Sequence, residues 1–317
     1  MEVLLTYRKE LDVLAYEECV GACGEVAQYA RASFLDGLIG EGWAVLHTSD
    51  YGVVMPLPLK RFWGLEIVYM PVFCQQLGIF SFEPLAETVA QRFFLVLMKR
   101  FFVRHYHFNS RNNFGQATKL NLILGPSDYA LLFKGYKAQR RNKIRKNVSR
   151  VLVALIDYRQ ASDFLRQHLG TVGGGDWLFE EQMKGLERLE RGYKGLSYFG
   201  GFVDGALVNV VVLAELGNRK VMLINCTDKK YSGYQPASVV IDGVLQRYSS
   251  RYVFDFEGSV LPGVKAFFMG FSPVEEHYPV LVQGRLEMLI SRFLSWLNWR
   301  RKSKGVKEFW GKFFPRN

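Results

Sequence analysis

The strongest constraint on this chain of 317 residues is an order of predicted elements that occurs twice. Apolar periodicity in the first half predicts, in order, the strands Trp43–Leu46, Val53–Leu59 and Leu65–Tyr69, a helix from Pro84 to about Phe102, and the strand Tyr106–Asn109. The second half predicts the strands Leu196–Phe202, Ala206–Leu213 and Lys220–Cys226, a helix from Pro236 to about Ser249, and the strand Tyr252–Phe256. The pattern indicates an α/β fold whose sheets are mixed, as in α+β proteins. It also indicates two tandem domains, each with one such sheet.

Local signals agree with this repeat. Asp204-Gly205 is a typical two-residue hairpin turn, and Pro84 lies 152 positions before Pro236. Between the two copies we predict a strand, Ala154–Tyr158, and helices from Ala161 to about Leu169 and over Asp176–Glu190. The predicted domains are residues 1–134 and 151–283, joined by a basic helix at 135–150 and followed by an amphipathic basic segment at 284–317.

The net charge of +11 is concentrated in two segments. Residues 134–150 carry eight basic side chains and no acidic one, and residues 285–317 carry nine basic and two acidic ones. An anionic partner is expected at these segments, and it could be a phosphate-bearing small molecule, an RNA or an anionic lipid surface.

The basic helix offers two possible faces for such a partner. Arg141, Arg145 and Ser149 share one helical face, while Lys137, Arg140 and Ile144 share another. Guanidinium groups bind phosphates in a bidentate manner, so one face could hold a pyrophosphate or an RNA backbone. The alternative is a solvated linker helix, and the spacing does not choose between them.

A second candidate site follows the last predicted strand. Alternation on Tyr252–Phe256 would place Asp255 and Glu257 on the same side, ahead of Gly258 and Ser259. A carboxylate at such a strand end could orient an amine or act as a base. Alternatively, Ser259 caps a short helix that begins at Pro262, and the acids pair with basic residues.

The junction between a strand and the helix at Pro236 is a third candidate. A loop from Asn225 to Tyr234 could offer backbone N–H groups to a phosphate, but Gly233 is its one glycine, so an ordinary connecting loop is favoured.

His105 and His107 alternate on a predicted strand without a third ligand nearby, and we predict no metal site. Cys226 lies on an apolar strand without an adjacent base.

The basic run Arg140–Lys146, the run Phe254–Ser259, Pro262-Gly263 and Phe267–Phe271 together resemble the Fem-type branch of the GNAT acyltransferase superfamily. Members have two tandem GNAT-like domains, with an Arg-Arg-Asn-Ile-Arg-Lys-like helix between the halves and an Asp-Phe-Gly/Glu-Gly turn late in the second. The resemblance implies transfer of an acyl or aminoacyl group to an amine. It implies phosphate binding by Arg140, Arg141 and Arg145, and a role for Asp255, Glu257 and Gly258 in the cleft.

The chain departs from the family at two places. Met269 stands where some members have a charge-stabilising lysine, and Lys265, one helical turn away, is the expected substitute. A glycine-rich phosphate loop is missing near Gly233. These departures motivate the alternative hypothesis of a catalytically degenerate module that binds a nucleotide, an RNA or an anionic lipid surface.

The resemblance also implies partners and a location. We expect no required cofactor, with acyl-CoA or aminoacyl-tRNA as the donor and a small-molecule or lipid-linked amine as the acceptor. Asn225, Gly233 and Ser259 are expected to contact the substrates. The expected protein is bacterial and cytoplasmic, a monomer or dimer, with tRNA as a further partner. The aromatic and basic tail would allow peripheral contact with the inner face of the membrane. The alternative is a helix that packs back on the second domain and ends in a frayed basic tail.

Overall fold

A computed structural model of the chain describes residues 2–62, 64–113, 117–169, 175–258 and 261–282. Its strands are β1 Leu4–Tyr7, β2 Trp43–His47, β3 Val53–Phe62, β4 Leu65–Val68, β5 Phe80–Ser81, β6 Phe102–Val103, β7 His105–His107, β8 Ala117–Leu124, β9 Leu152–Ile156, β10 Leu196–Val203, β11 Ala206–Leu216, β12 Arg219–Thr227, β13 Val253–Asp255 and β14 Val274–Val282. The predicted amphipathic segment beyond Val282, and the predicted site residue Ser259, lie outside the described residues.

The α-helices are α1 Val13–Ala22, α2 Ala32–Ile39, α3 Glu87–Arg100, α4 Tyr129–Gly135, α5 Ala138–Asn147, α6 Tyr158–His168, α7 Gly175–Gly192, α8 Pro236–Tyr248 and α9 Pro262–Phe268. Short 3-10 helices cover Arg8–Glu10, Gly24–Ala30, Lys229–Tyr234 and Met269–Phe271. No helix in the described part of the chain is long and apolar enough to cross a bilayer.

These strands form two mixed sheets within the described residues. The smaller sheet has the order β1-β2-β3-β4-β6, with β5 also paired to β3. The larger has the order β7-β14-β8-β13-β12-β11-β10-β9. In each sheet a parallel pair follows the antiparallel hairpin, β4 with β6 and β12 with β13, so a repeated order of elements is present in the fold. In the first half, however, the last strand of the repeat is β6, and the predicted strand Tyr106–Asn109 overlaps β7 of the larger sheet.

Two strands from the first half belong to the sheet of the second half. β8 lies between β13 and β14 and pairs antiparallel with both, while β7 pairs with β14. The end of the segment 1–134 is therefore built into the second sheet, and a cut at residue 134 would separate β13 and β14 from β8, which lies between them. One large hydrophobic core also runs through both halves, from Leu11 to Leu281.

The helices of the two halves pack closely at one point. Gly37 of α2 lies against Gly192 at the end of α7, and a Cβ on Gly192 would stand 2.9 Å from the Cα of Gly37. Glycine at this position allows the two backbones to approach.

Several predicted boundaries need correction. Pro84 does not open a helix, because α3 begins at Glu87 after Ala86 in an extended conformation. The basic helix is α5, shorter than 135–150, and it follows the separate helix α4. The strand predicted at Ala154–Tyr158 is β9, and Asp157 instead caps α6 with a capping box. The helix predicted over Asp176–Glu190 and the helix that begins at Pro236 are confirmed as α7 and α8.

Candidate functional site

The candidate site is a cleft where two parallel strands separate. β12 and β13 pair only from Arg219–Val253 to Val221–Asp255, although β12 continues to Thr227. The gap forms a cleft of about 500 Å³. Its lining includes Met222, Leu223 and Asn225 on β12, Ser238 on α8, Phe256, Glu257 and Gly258 after β13, and Phe267 and Phe268 on α9.

An irregularity in β12 borders this cleft. Leu213 of β11 pairs with Met222, and Val212 pairs with Ile224, so Leu223 is an extra residue between them. A β-bulge leaves the extra residue outside the ladder of hydrogen bonds. Leu223 therefore lacks a pairing partner on β11, and it is one of the residues that line the cleft.

Glu257 provides the acidic group of the cleft. Its backbone has a positive φ of 57°, so it does not continue the strand, and the predicted alternation of Asp255 and Glu257 on one strand face is wrong. Its carboxylate accepts a hydrogen bond from the Tyr29 hydroxyl at 2.8 Å. Burial, together with the neighbouring Asp255 carboxylate, raises the pKa of Glu257 to about 8, while the Tyr29 hydrogen bond opposes the increase.

Three contacts hold the Glu257–Gly258 backbone in this conformation. The Glu257 N–H donates to Asp255 Oδ1 at 2.8 Å, and the Gln75 side-chain amide donates to the Glu257 carbonyl oxygen. Gly258 has a φ of 61°, and a Cβ at this position would overlap the carbonyl oxygen of Leu120 on β8. Glycine is thus required both by the left-handed backbone and by the close strand.

We expect Gly258→Ala to lower the free energy of unfolding by about 2–4 kcal/mol, because it combines a strained left-handed residue with an overlap against Leu120. Gly205→Ala is a matched control, since Gly205 has a φ of 83° but faces open space where its Cβ would stand. Urea denaturation of both variants measures the difference. Equal losses would show that the overlap with β8 contributes nothing.

Asp255 lies below the cleft and is not part of its lining. It is fully buried, forms an ion pair with Arg219 at 2.9 Å, and accepts a hydrogen bond from Asn121 at 3.1 Å. Arg219 also pairs with Glu276 of β14 at 3.3 Å. Burial raises the pKa of Asp255 in spite of these partners. The carboxylate is thus fully engaged in a buried network that joins β12, β13 and β14, which matches the alternative of acids paired with basic residues.

The arginines of α5 occupy different environments from those expected. Arg140 is buried, and its guanidinium contacts the Ser238 hydroxyl and the Phe267 carbonyl oxygen behind the cleft wall. The faces of Phe267 and Phe271 lie 4.1 and 4.7 Å from its guanidinium carbon. Arg141 donates to the carbonyl oxygens of Lys134 and Tyr136 at the end of α4. The face of Arg140 and Ile144 is therefore the buried face of α5, and the alternative of a wholly solvated linker helix is wrong.

The remaining predicted residues divide between the cleft and its surroundings. Asn225 lines the cleft, whereas Gly233 lies in the exposed 3-10 turn before α8. Arg145 lies 5.6 Å from the ring of Phe133. Lys265 is outside the cleft lining and pairs with Glu275 at 3.1 Å, a position that does not favour a catalytic role. The N-cap position of α9 is Leu261, and the alternative in which Ser259 caps this helix lies outside the described residues.

The environments of His107 and Cys226 do not favour a metal site or a reactive thiol. The ring of His107 contacts the Gln75 carbonyl oxygen at 2.8 Å, and burial lowers the pKa of His107 to about 3. Burial raises the pKa of Cys226 to about 12, so its thiol stays protonated at neutral pH and is a poor nucleophile. Among the described residues, no group of three or more His, Cys, Asp or Glu side chains could hold a metal ion.

Sequence reasoning missed the residues that surround Glu257 from the first half. Tyr29 and Gln75 precede Glu257 by 228 and 182 positions, and neither lies in a recognisable motif. It also missed Arg219, although a charged residue at the start of an otherwise apolar strand is a signal for a buried ion pair.

The architecture is similar to that of solved structures. The crystal structure of FemX superposes with a TM-score of 0.61 and 11% sequence identity, covering 92% of this chain and 100% of FemX. A conserved protein of unknown function from Bacteroides thetaiotaomicron VPI-5482 gives a TM-score of 0.55 and 10% identity, covering 88% of this chain and 100% of that protein. No protein-family model matches the sequence, and no curated protein matches it either.

The predicted fold class is therefore confirmed. The chain has an α/β fold with two mixed sheets that is similar to the fold of FemX.

Proposed function

We propose that this chain transfers an acyl or aminoacyl group to an amine in the cleft between β12 and β13, with Glu257 as the general base. The observation that carries the proposal is the position of Glu257 at the point where the two strands separate. Its pKa, raised to about 8, suits it to accept a proton from an ammonium group near neutral pH.

In the proposed reaction, the Glu257 carboxylate takes one proton from the acceptor ammonium and leaves a neutral amine. The amine nitrogen attacks the donor carbonyl carbon, and a C–N bond forms as the bond to the donor's thiol or hydroxyl oxygen breaks. The second amine proton passes to that leaving group. The backbone N–H at the Leu223 bulge is the group we assign to the developing oxyanion, because backbone donors fixed in a cleft stabilise such charge.

The surroundings of the cleft favour a donor that carries phosphate. Its walls are apolar at Met222, Phe256 and Phe268, which fits a thin acyl-bearing arm. Behind them Arg140 is buried and forms no ion pair with a carboxylate of the described residues, and it contacts Ser238 in the first turn of α8. An uncompensated cation beside a helix N-terminus makes the local potential positive. Acyl-CoA and aminoacyl-tRNA both fit this description.

The acceptor is proposed to be a small-molecule or lipid-linked amine. Its ammonium group would approach Glu257 from the open end of the cleft, because the other side of Glu257 is occupied by Tyr29. The proposed setting is the bacterial cytoplasm, with a lipid-linked acceptor reached at the membrane surface.

The full chain can be tested with acetyl-CoA, and separately with a mixture of charged tRNAs, against a panel of primary amines that includes free amino acids and phosphatidylethanolamine vesicles. We expect amine-dependent release of free thiol or uncharged tRNA, together with a new amide detected by mass spectrometry. The proposal would be overturned if neither donor class gives an amide. It would also be overturned if substitution of the residues that line the cleft left amide formation unchanged.

A catalytically degenerate binding module is the second candidate. The observation that favours it is the side chain at position 269: Met269 cannot stabilise charge, and Lys265 is already paired with Glu275. Under this hypothesis the chain binds CoA or tRNA with a steep dependence on salt and forms no amide.

A further inference from the structure

A segment of the first half reaches the candidate site. The 3-10 helix Gly24–Ala30 ends beside the cleft, and Tyr29 within it is buried at 3% exposure. The ring of Tyr29 packs edge-on against Phe34 of α2 at 6.0 Å, and its hydroxyl donates to Glu257 Oε1 at 2.8 Å. The aromatic contact fixes the ring, and so the hydroxyl is held at a defined point.

A neighbouring contact anchors this segment to the second half. Gln28 donates to the side-chain oxygen of Asn218, in the turn between β11 and β12, at 3.3 Å. Gly217 precedes it with a φ of 61°, and a Cβ there would overlap the Gln28 amide. The turn that starts β12 therefore accommodates the first half, next to the strand that lines the cleft.

We propose that Tyr29 is a positioning residue for Glu257, so that the site of the second domain is complete only with the first domain in place. This inference rests on the proposed function. The bond from Tyr29 occupies one carboxylate oxygen and selects one side-chain conformation, which leaves the other oxygen to accept the proton. Gln75, also from the first half, holds the Glu257 carbonyl oxygen in the same way.

The charged and titratable groups around Glu257 determine what removal of the hydroxyl should do. They are Tyr29 and Cys74 from the first half, Asp255 on β13 and Tyr278 on β14, with Arg219 and Glu276 behind Asp255. Burial raises the pKa of Tyr29, Cys74 and Tyr278, so these groups remain neutral around pH 8. The Tyr29 hydrogen bond favours the carboxylate form of Glu257, and its loss should raise the pKa of Glu257 further.

The test is Tyr29→Phe, which removes the hydroxyl and keeps the ring. The carboxyl carbon of Glu257 is followed by NMR in protein labelled with ¹³C-glutamate, with its signal assigned through Glu257→Gln. We expect the titration midpoint to rise by about one pH unit, a tenfold change in the proton equilibrium. The pH–rate profile should move upward by the same amount, with the rate lost at pH 7 recovered at high pH.

Tyr7→Phe is the matched control, because the Tyr7 hydroxyl donates to Glu66 at the same distance of 2.8 Å. Tyr7 lies on β1 of the smaller sheet, whereas Glu257 follows β13 of the larger sheet. An unchanged Glu257 midpoint in Tyr29→Phe, or an equal shift in Tyr7→Phe, would overturn the inference. The titration requires no substrate, so it tests the role of Tyr29 separately from the proposed function. The proposed function fails instead if Glu257→Gln retains full transfer activity.

Discussion

Replacement of Glu257 with glutamine is expected to slow amine-dependent transfer by about 10²–10⁴-fold, the usual contribution of a general base. Glutamine keeps the shape of the side chain and can still accept the Tyr29 hydrogen bond, but it cannot take a proton. Steady-state rates of amide formation at saturating amine measure the loss. Glu180→Gln is the matched control, because Glu180 is an exposed glutamate of α7 that pairs with Lys184.

The pH dependence of the same two proteins gives an independent check. The wild-type rate should rise through about pH 8 as Glu257 becomes a carboxylate, and this rise should be absent from the residual rate of Glu257→Gln. A Glu257→Gln protein with the wild-type rate and pH profile would remove Glu257 from the mechanism.

The free energy of unfolding should depend on pH in the opposite direction to the transfer rate. The folded pKa of Glu257 is raised from 4.5 to about 8, so the folded protein binds one more proton than the unfolded chain between these values. The free energy of unfolding contributed by this group therefore falls as pH rises from about 4.5 to about 8. Glu257→Gln should lack this decline and be at least as stable as the wild type at pH 8, so that lost activity cannot be ascribed to unfolding.

Arg219→Met is expected to lower the free energy of unfolding by about 3–5 kcal/mol, because it leaves the buried Asp255 carboxylate without its cation. The two side chains are 6% and 0% exposed, so solvent cannot replace the lost partner. Urea denaturation at pH 7 measures the change. Arg61→Met is the matched control, since Arg61 is 76% exposed in its pair with Glu66 and should cost less than about 1 kcal/mol.

A second substitution separates charge from packing. Arg219→Met combined with Asp255→Asn removes both buried charges, and it should recover part of the stability lost in the single variant. A double variant that is less stable than either single one would show that Arg219 acts mainly through its packing and its bond to Glu276.

Much of the second domain was predictable because its signals are local. The hairpin at Asp204-Gly205, the long apolar strands β11 and β12, and the proline that opens α8 are all encoded within a few residues. The first half was predicted less well. The helices α1 and α2 and the strand β1 were not identified, and Pro84 was a misleading helix signal, because Ala86 remains extended before α3 begins.

The run Phe254–Ser259 separates what the sequence could predict about the site from what depended on the tertiary structure. The sequence by itself predicted a strand that leads into two acids and a glycine, and an order of α/β elements that occurs twice. The tertiary structure decided which acid borders the cleft. Glu257 turns into the left-handed region and meets Tyr29, whereas Asp255 is buried against Arg219.

The same distinction applies to the placement of β7 and β8. Their apolar alternation is compatible with either sheet, because a strand's pattern specifies a buried face and not the identity of its neighbour. Pairing with β13 and β14 was decided by contacts between segments more than 100 residues apart. Those contacts also bring Leu120 against Gly258, while the 3-10 helix Gly24–Ala30 separately brings Tyr29 to Glu257, and hence the site depends on both halves of the chain.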